Sequence, residues 1–239
     1  MTTHRKSIGR HHLLTKLSRL NHKNKKGCHY FLFPLQAYTV KAGSRANITV
    51  AAAFSAAGNF MPPFIIYPGL NLTGIDPAGF PGAYNWCSKS GWIDGEGFLQ
   101  FIKAFDQFIT KENVKKPVVL WMDNHSSHRS IPALTLAKEQ GIHIMALLPN
   151  ATHLIQPADI GFFNPLKSRF GEELRNTVRQ RFGEPLTKRD FSSLLRKAWE
   201  QTAKVDLAVN AFRRTGIHPF LFENVDKKRI KSFMANDGK

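Results

Sequence analysis

Residues Pro117–His128 read PVVLWMDNHSSH. The unbroken apolar run from Val118 to Met122 has the pattern of a strand buried on both faces, and it ends at an acid, Asp123. Ile142–Leu148 (IHIMALL) is a second strand of this kind, closed by Pro149. The interval between them suits a helix from about Ile131 to Gln140, ending at Gly141. Before the first strand, Phe98, Leu99, Phe101, Ile102, Phe105, Phe108 and Ile109 recur at helical spacing, with Asp94 as the expected N-cap. Asn47–Ala57 and Phe60–Tyr67 read as two strands joined in a hairpin at Gly58-Asn59, and Leu70–Gly91 as a Gly/Pro-rich loop. Helical patterns occupy Phe162–Phe182, Lys188–Lys204 and Leu207–Arg214. The order of elements predicts an α/β or α+β layered domain with a helical C-terminal part.

The chain has 239 residues, 42% of them hydrophobic, which is enough for a packed core and excludes a disordered or collagen-like chain. No apolar run reaches the roughly 18–20 residues of a membrane span, and the basic N-terminus has no secretory signal core. Two cysteines, Cys28 and Cys87, make no disulfide framework and fit a reducing compartment.

Charge is uneven. There are 34 Lys and Arg against 17 Asp and Glu, a net charge of +17. Residues 1–50 hold ten of the basic residues, five of the ten histidines and no acid. Such a segment repels itself and seeks polyanions. Lys23, Lys25, Lys26 and Arg45 are therefore candidate nucleic-acid contacts, with Lys167 and Arg169 further on; a solvated basic tail is the plain alternative. A second cluster, Lys227–Lys231, reads either as a nuclear address or as an exposed helix end.

Asp159 follows the second buried strand and precedes a helix, with 35 residues between it and Asp123. One helix and one strand fit between them, so both acids return to one edge of a sheet, where open α/β folds keep their ligands. Two carboxylates there repel unless a cation neutralises them, and all-oxygen ligation suits Mg²⁺ or Mn²⁺. Paired ions of this kind clamp the attacking and leaving oxygens of a phosphodiester. Taken singly, each acid reads equally as a helix cap or a loop residue. His125, His128 and His153 flank the pair and offer a looser reading as zinc ligands. His143 alternates with apolar residues as a core or edge histidine, and Trp86, Trp92, Trp121 and Trp199 read as core.

Five blocks carry a resemblance: Asn47–Gly69 (NITVAAAFSAAGNFMPPFIIYPG), Gly91–Phe98 (GWIDGEGF), Val118–His128, Leu147–Lys167 (LLPNATHLIQPADIGFFNPLK) and Ala211–Phe220 (AFRRTGIHPF). In this order they resemble the DDE endonuclease domain of pogo/Tigger/jerky-type transposases, relatives of the centromere-protein-B-like proteins, over roughly residues 45–222. The resemblance implies an RNase H-like mixed sheet flanked by helices, DNA as partner, a nuclear location and three acids that bind two divalent metals, Mg or Mn. It sets the second acid on Asp123 and the third on Asp159. It makes Asn124, His125, His128, His153 and Gln156 neighbours of the metal site or contacts to DNA. Residues 1–44 are then a basic, poorly structured segment and 223–239 a basic tail.

The first acid of such enzymes lies in an Asp-Glu-Thr-Gly-like block upstream of the NITV strand, on the first strand of the sheet. Here the first acidic residue of any kind is Asp76. Asp94 and Glu96 match the start of a helix and read as caps. The basic stretch Leu13–Lys26 stands where the block is expected, with the abrupt change of character of a frameshift, a mis-called exon or a truncated copy. The first strand is therefore in doubt, with His29–Val40 the stretch available to fill it. The expected function is a transposase-derived domain that binds nucleic acid with catalysis impaired. The alternatives are an active Mg/Mn-dependent endonuclease whose N-terminus is wrongly given, and a protein-interaction module or relic.

Overall fold

A computed structural model describes residues 29–41, 44–123, 130–147, 156–182, 184 and 186–219. Six strands form one mixed sheet: β1 (His29–Lys41), β2 (Ser44–Ser55), β3 (Phe64–Pro68), β4 (Tyr84–Ser88), β5 (Val118–Met122) and β6 (Ile142–Ala146). Their order is β4-β3-β2-β1-β5-β6. β1, β2 and β3 run antiparallel in succession, while β4, β5 and β6 lie parallel to their neighbours.

β2 alternates faithfully. Ile48, Val50, Ala52 and Phe54 enter one core, and Ala51 and Ala53 enter the other. β5 divides the same way, with Val119 and Trp121 on one face and Val118, Leu120 and Met122 on the other. A strand covered twice has no polar face to show, which is why its sequence is continuously apolar. One face is covered by α1 (Gly95–Lys111) and α2 (Ile131–Glu139). The other is covered by a π-helical turn (Ala158–Phe162) leading into α3 (Phe163–Gln180), then α4 (Lys188–Thr202) and α5 (Val205–Thr215). This three-layer architecture is the RNase H-like mixed sheet flanked by helices that the motifs implied.

Three readings are corrected. The first strand, in doubt for want of an acid, is present as β1, paired in parallel with β5 from His29↔Val119 to Phe31↔Trp121. Pro34 lies within β1, and a proline cannot donate to the ladder. It is tolerated because β1 beyond Phe31 is paired only with β2. The sheet thus begins inside the stretch 1–44 that charge had assigned to a poorly structured segment. Second, the Leu70–Gly91 loop contains β4, a short edge strand of mixed polarity (YNWCS) with no apolar alternation to betray it. Third, Trp92 is exposed rather than in the core. The hairpin holds, but β3 starts at Phe64, after Pro62 and Pro63 have interrupted the run.

Gly91 sits at φ +75°, and a Cβ there would lie 1.9 Å from the Asn47 carbonyl oxygen. Only glycine admits that approach. The Thr49 hydroxyl donates to the Gly91 carbonyl at 2.6 Å, fixing the loop to β2. A second clamp joins β3 to α4. Ser192 Oγ donates to the Asp76 carbonyl at 2.8 Å. Its only proton is then used, so the Tyr67 hydroxyl is the donor across the 3.3 Å to Ser192 Oγ. Burial pushes the Tyr67 hydroxyl up to about 12.

A phenol pKa raised in the native state favours the folded, protonated form. Its stabilisation is complete below pH 10 and is lost as pH rises toward about 12. Urea unfolding from pH 9 to pH 12 should therefore show a steeper loss of stability in the natural chain than in Tyr67→Phe.

Candidate functional site

Asp123 is the first residue beyond β5 and is half-buried. The Leu147 N–H donates to the Met122 carbonyl at 2.8 Å, so β5 and β6 stay bonded to their ends. The acid thus leaves a rigid strand end rather than a free loop. In strand register it falls on the face of Val119 and Trp121.

Asp159 lies in the π-helical turn, exposed, in the first turn of the helical run. The sequence explains this turn. Pro165 has no N–H to give the Gly161 carbonyl, and its ring crowds that carbonyl. The ladder loosens just before it, and the Phe163 N–H reaches the Ala158 carbonyl five residues back. Two contacts then fix the turn. Phe162 is fully buried, its ring 5.4 Å from Phe54, 5.2 Å from Phe60 and 5.2 Å from Trp199. Gly161 faces α5 so closely that a Cβ would lie 2.6 Å from the Ala211 Cβ.

Phe54, Phe31 and Trp121 form one row across β2, β1 and β5. Phe162 packs on Phe54 in that row, and Ala158 shares a core with Trp121 and Leu147. The topology therefore brings the end of β5 and the start of the Asp159 helix to one face of the sheet. The β1–β5 pairing ends at Phe31↔Trp121, two residues short of Asp123. Neither β1 nor β2 contains an Asp or Glu.

Gln156 stands just before this helix, and its carbonyl accepts from the Ile160 N–H at 3.1 Å. It is 4% exposed, and its side-chain Oε1 is buried without a hydrogen-bond partner. Carboxylates and an amide oxygen are hard donors of the class that Mg²⁺ and Mn²⁺ take. Among the described residues no three His, Cys, Asp or Glu side chains form a metal-holding group. Asp94 is engaged as the N-cap of α1, its Oδ1 accepting from the Gly97 N–H at 2.8 Å. Glu96 accepts from Gln100 Nε2 at 2.8 Å. Both are helix-start residues, as their positions predicted.

Lys23, Lys25, Lys26, Asn124, His125, His128 and His153 lie outside the described residues, as does the Lys227–Lys231 cluster. Arg45 lies in β2, opposite Val40. Lys167 and Arg169 are exposed on α3, and Arg169 pairs with Glu172 at 3.1 Å, a surface ion pair of small value. His143 is exposed on the edge strand β6. Arg213 and Arg214, in the AFRRTGIHPF block, are two basic residues that charge clustering alone does not single out; both are exposed on α5, just beyond the Ala211 that meets Gly161.

A sequence profile of the DDE superfamily endonucleases matches residues 45–212. This chain belongs to that family. A curated relative, the MFS-type transporter clz9 of Cochliobolus lunatus, is 26% identical over 184 residues. The match takes in 75% of this chain and 20% of that protein, so the chain spans about a fifth of the relative's length. Among the described residues no helix is long and apolar enough to cross a membrane. The solved Mos1 transposase catalytic domain with raltegravir and Mg aligns at a TM-score of 0.52 and 13% identity, covering 93% of this chain and 90% of that one. The Mos1 mariner paired-end complex with Mn aligns at 0.52 and 12%, covering 94% and 60%. At such identities the likeness is one of fold.

The Gly161–Ala211 contact is testable by a double-mutant cycle. Gly161→Ala should cost about 1–3 kcal/mol by overpacking, and Ala211→Gly about 1 kcal/mol by helix propensity. The double variant should be more stable than their sum by at least about 0.5 kcal/mol, read from urea denaturation.

Proposed function

We propose that this chain is a transposase-derived DDE domain that binds DNA and does not cut it. The observation that carries the reading is the composition of β1, the strand beside β5, which has no Asp or Glu along its length. Asp123 and Asp159 are the residues that would hold a divalent cation, and such a cation, when bound, neutralises phosphate and polarises its oxygens. With one carboxylate fewer than the three implied by the resemblance, the site has less charge to hold a pair of ions. In this reading the half-buried Asp123 and the rigid end of β5 orient one oxygen, and the π-helical turn orients that of Asp159.

Binding rests on the charge. A net charge of +17 favours a polyphosphate partner. Lys167, Arg169, Arg213 and Arg214 are exposed on α3 and α5, the helices next to the Asp159 turn, and the basic residues before His29 extend the same attraction. The likeness of the blocks to pogo/Tigger/jerky-type transposases supports a nuclear location, as does Lys227–Lys231.

Fluorescence anisotropy with a short duplex should give an affinity that falls linearly on log–log axes with salt, by about 0.9 per phosphate contacted. Supercoiled plasmid should stay intact in Mg²⁺ or Mn²⁺. Nicking that disappears in both Asp123→Ala and Asp159→Ala would show a working endonuclease and overturn the non-cutting half of the proposal. Salt-insensitive or absent binding would overturn the other half.

A further inference from the structure

An apolar side chain stabilises a fold by leaving water, and left-handed backbone strains any residue that carries a Cβ. Phe182 goes against both rules. It is 99% exposed, and it sits at φ +53°. It follows the Arg181 cap of α3, the position where helices favour glycine. A glycine stands next in the chain, at 183. The Phe182 ring adds nothing to the core, and its backbone conformation costs the fold stability. A strained residue of this kind points to a role outside the fold.

The turn that carries the ring is tied down. The Arg181 guanidinium donates to Asp190 Oδ1 at 2.6 Å, and the Thr187 N–H donates to Asp190 Oδ2 at 2.8 Å, closing the capping box of α4. The Phe182 N–H donates to the Arg179 carbonyl at 3.3 Å, and the Glu184 N–H to that of Arg181 at 3.1 Å. The surroundings are basic. Residues 175–190 hold Arg175, Arg179, Arg181, Lys188 and Arg189 against Glu184 and Asp190, and all four arginines are exposed. α3 is 18 residues long, about 27 Å at 1.5 Å per residue. The ring therefore stands a helix length away from the Asp159 turn. A rigid aromatic face among exposed cations matches a nucleic-acid strand, whose phosphates meet the cations while a base meets the ring. A second copy of the chain would bring the same positive tip against it, and like charges oppose that contact.

We propose that the α3–α4 turn is a contact for single-stranded DNA, with the Phe182 ring stacking on an unpaired base and Arg179 meeting the backbone beside it. Inside a duplex each base face is already covered by its neighbours, so the ring favours DNA with a single-stranded stretch. This deepens the DNA-binding half of the proposed function and rests on it.

The test is fluorescence anisotropy of the full chain with a labelled oligonucleotide, single-stranded and as an uninterrupted duplex, for the natural protein, Phe182→Gly, Phe182→Leu, Phe182→Trp and Arg179→Ala. Phe182→Gly should weaken single-strand binding roughly 5–150-fold, the range for one stacked base, and leave duplex binding unchanged. Its melting temperature should be unchanged or higher, since glycine accepts this backbone without strain. The slope of its affinity against salt should stay that of the natural chain, whereas Arg179→Ala should lower the single-strand slope by about 0.7. Phe182→Trp should bind as the natural chain does, and its added indole, read against the four native tryptophans, should be quenched by the single strand. Phe182→Leu should not restore affinity. If Phe182→Gly binds the single strand as the natural chain does, or Phe182→Leu restores what Phe182→Gly loses, stacking is refuted while DNA binding stands. Equal losses on duplex and single strand refute it as well. If sedimentation shows that the natural chain self-associates and Phe182→Gly does not, with DNA affinity unchanged, the turn is an interface between copies and the proposal fails. If the natural chain binds neither oligonucleotide, the DNA-binding reading itself fails, and this proposal with it.

Discussion

The ring of Phe162 lies against Phe54, Phe60 and Trp199, and Phe54 in turn meets Phe212 edge-on at 5.8 Å. This cluster joins the sheet, the β2–β3 connection, α4 and α5 through one side chain of the π-helical turn. Aromatic pairs at these separations add to the area they bury and prefer definite angles. The turn is therefore set in orientation as well as in place. Asp159, three residues earlier, inherits that orientation. Gly161 performs the complementary task from the other side: with no side chain of its own, it lets α5 close directly onto the turn. The C-terminal helices thus act as the outer wall of the candidate site.

The centre of the sheet poses a different constraint. β1 joins β2, β3 and β4 on one side to β5 and β6 on the other, so everything at the end of β5 is positioned through it. Its pairing with β5 covers His29 to Phe31, whereas its pairing with β2 runs along the whole strand. The strand asks only for backbone pairing and apolar mass, and HYFLFPLQAYTVK supplies both. Catalysis of the kind the resemblance implies asks in addition for a carboxylate there. Fold and chemistry have separate requirements at this strand, and this sequence meets the first. A family match at the level of fold is thus compatible with a changed activity.

Much of the architecture was readable without coordinates. The double-sided burial of β5 was visible in Val118–Met122, the α1 cap in Asp94 three residues before Gly97, and the helix positions in the spacing of Phe98 to Ile109, because these signals are local. What escaped depended on partners distant in the chain. β4 is short, polar and at an edge, so nothing in Tyr84–Ser88 announces its pairing with β3. β1 lacks the acid expected of a first strand, whereas its pairing depends on the apolar character that the sheet selects. Trp92 looked like core by type and is exposed by position.

By itself, the sequence determined the charge of +17, the absence of any acid before Asp76, the two acids and the family blocks around them. These are properties of composition and order, which folding does not alter. The tertiary structure decided that His29–Lys41 pairs beside β5, that Gly161 meets Ala211, and that Gln156 keeps a buried oxygen without a partner. Each of these joins segments far apart in the chain or depends on what surrounds a side chain. Such relations arise when sheet pairing and helix packing exclude water, and no window of sequence contains them.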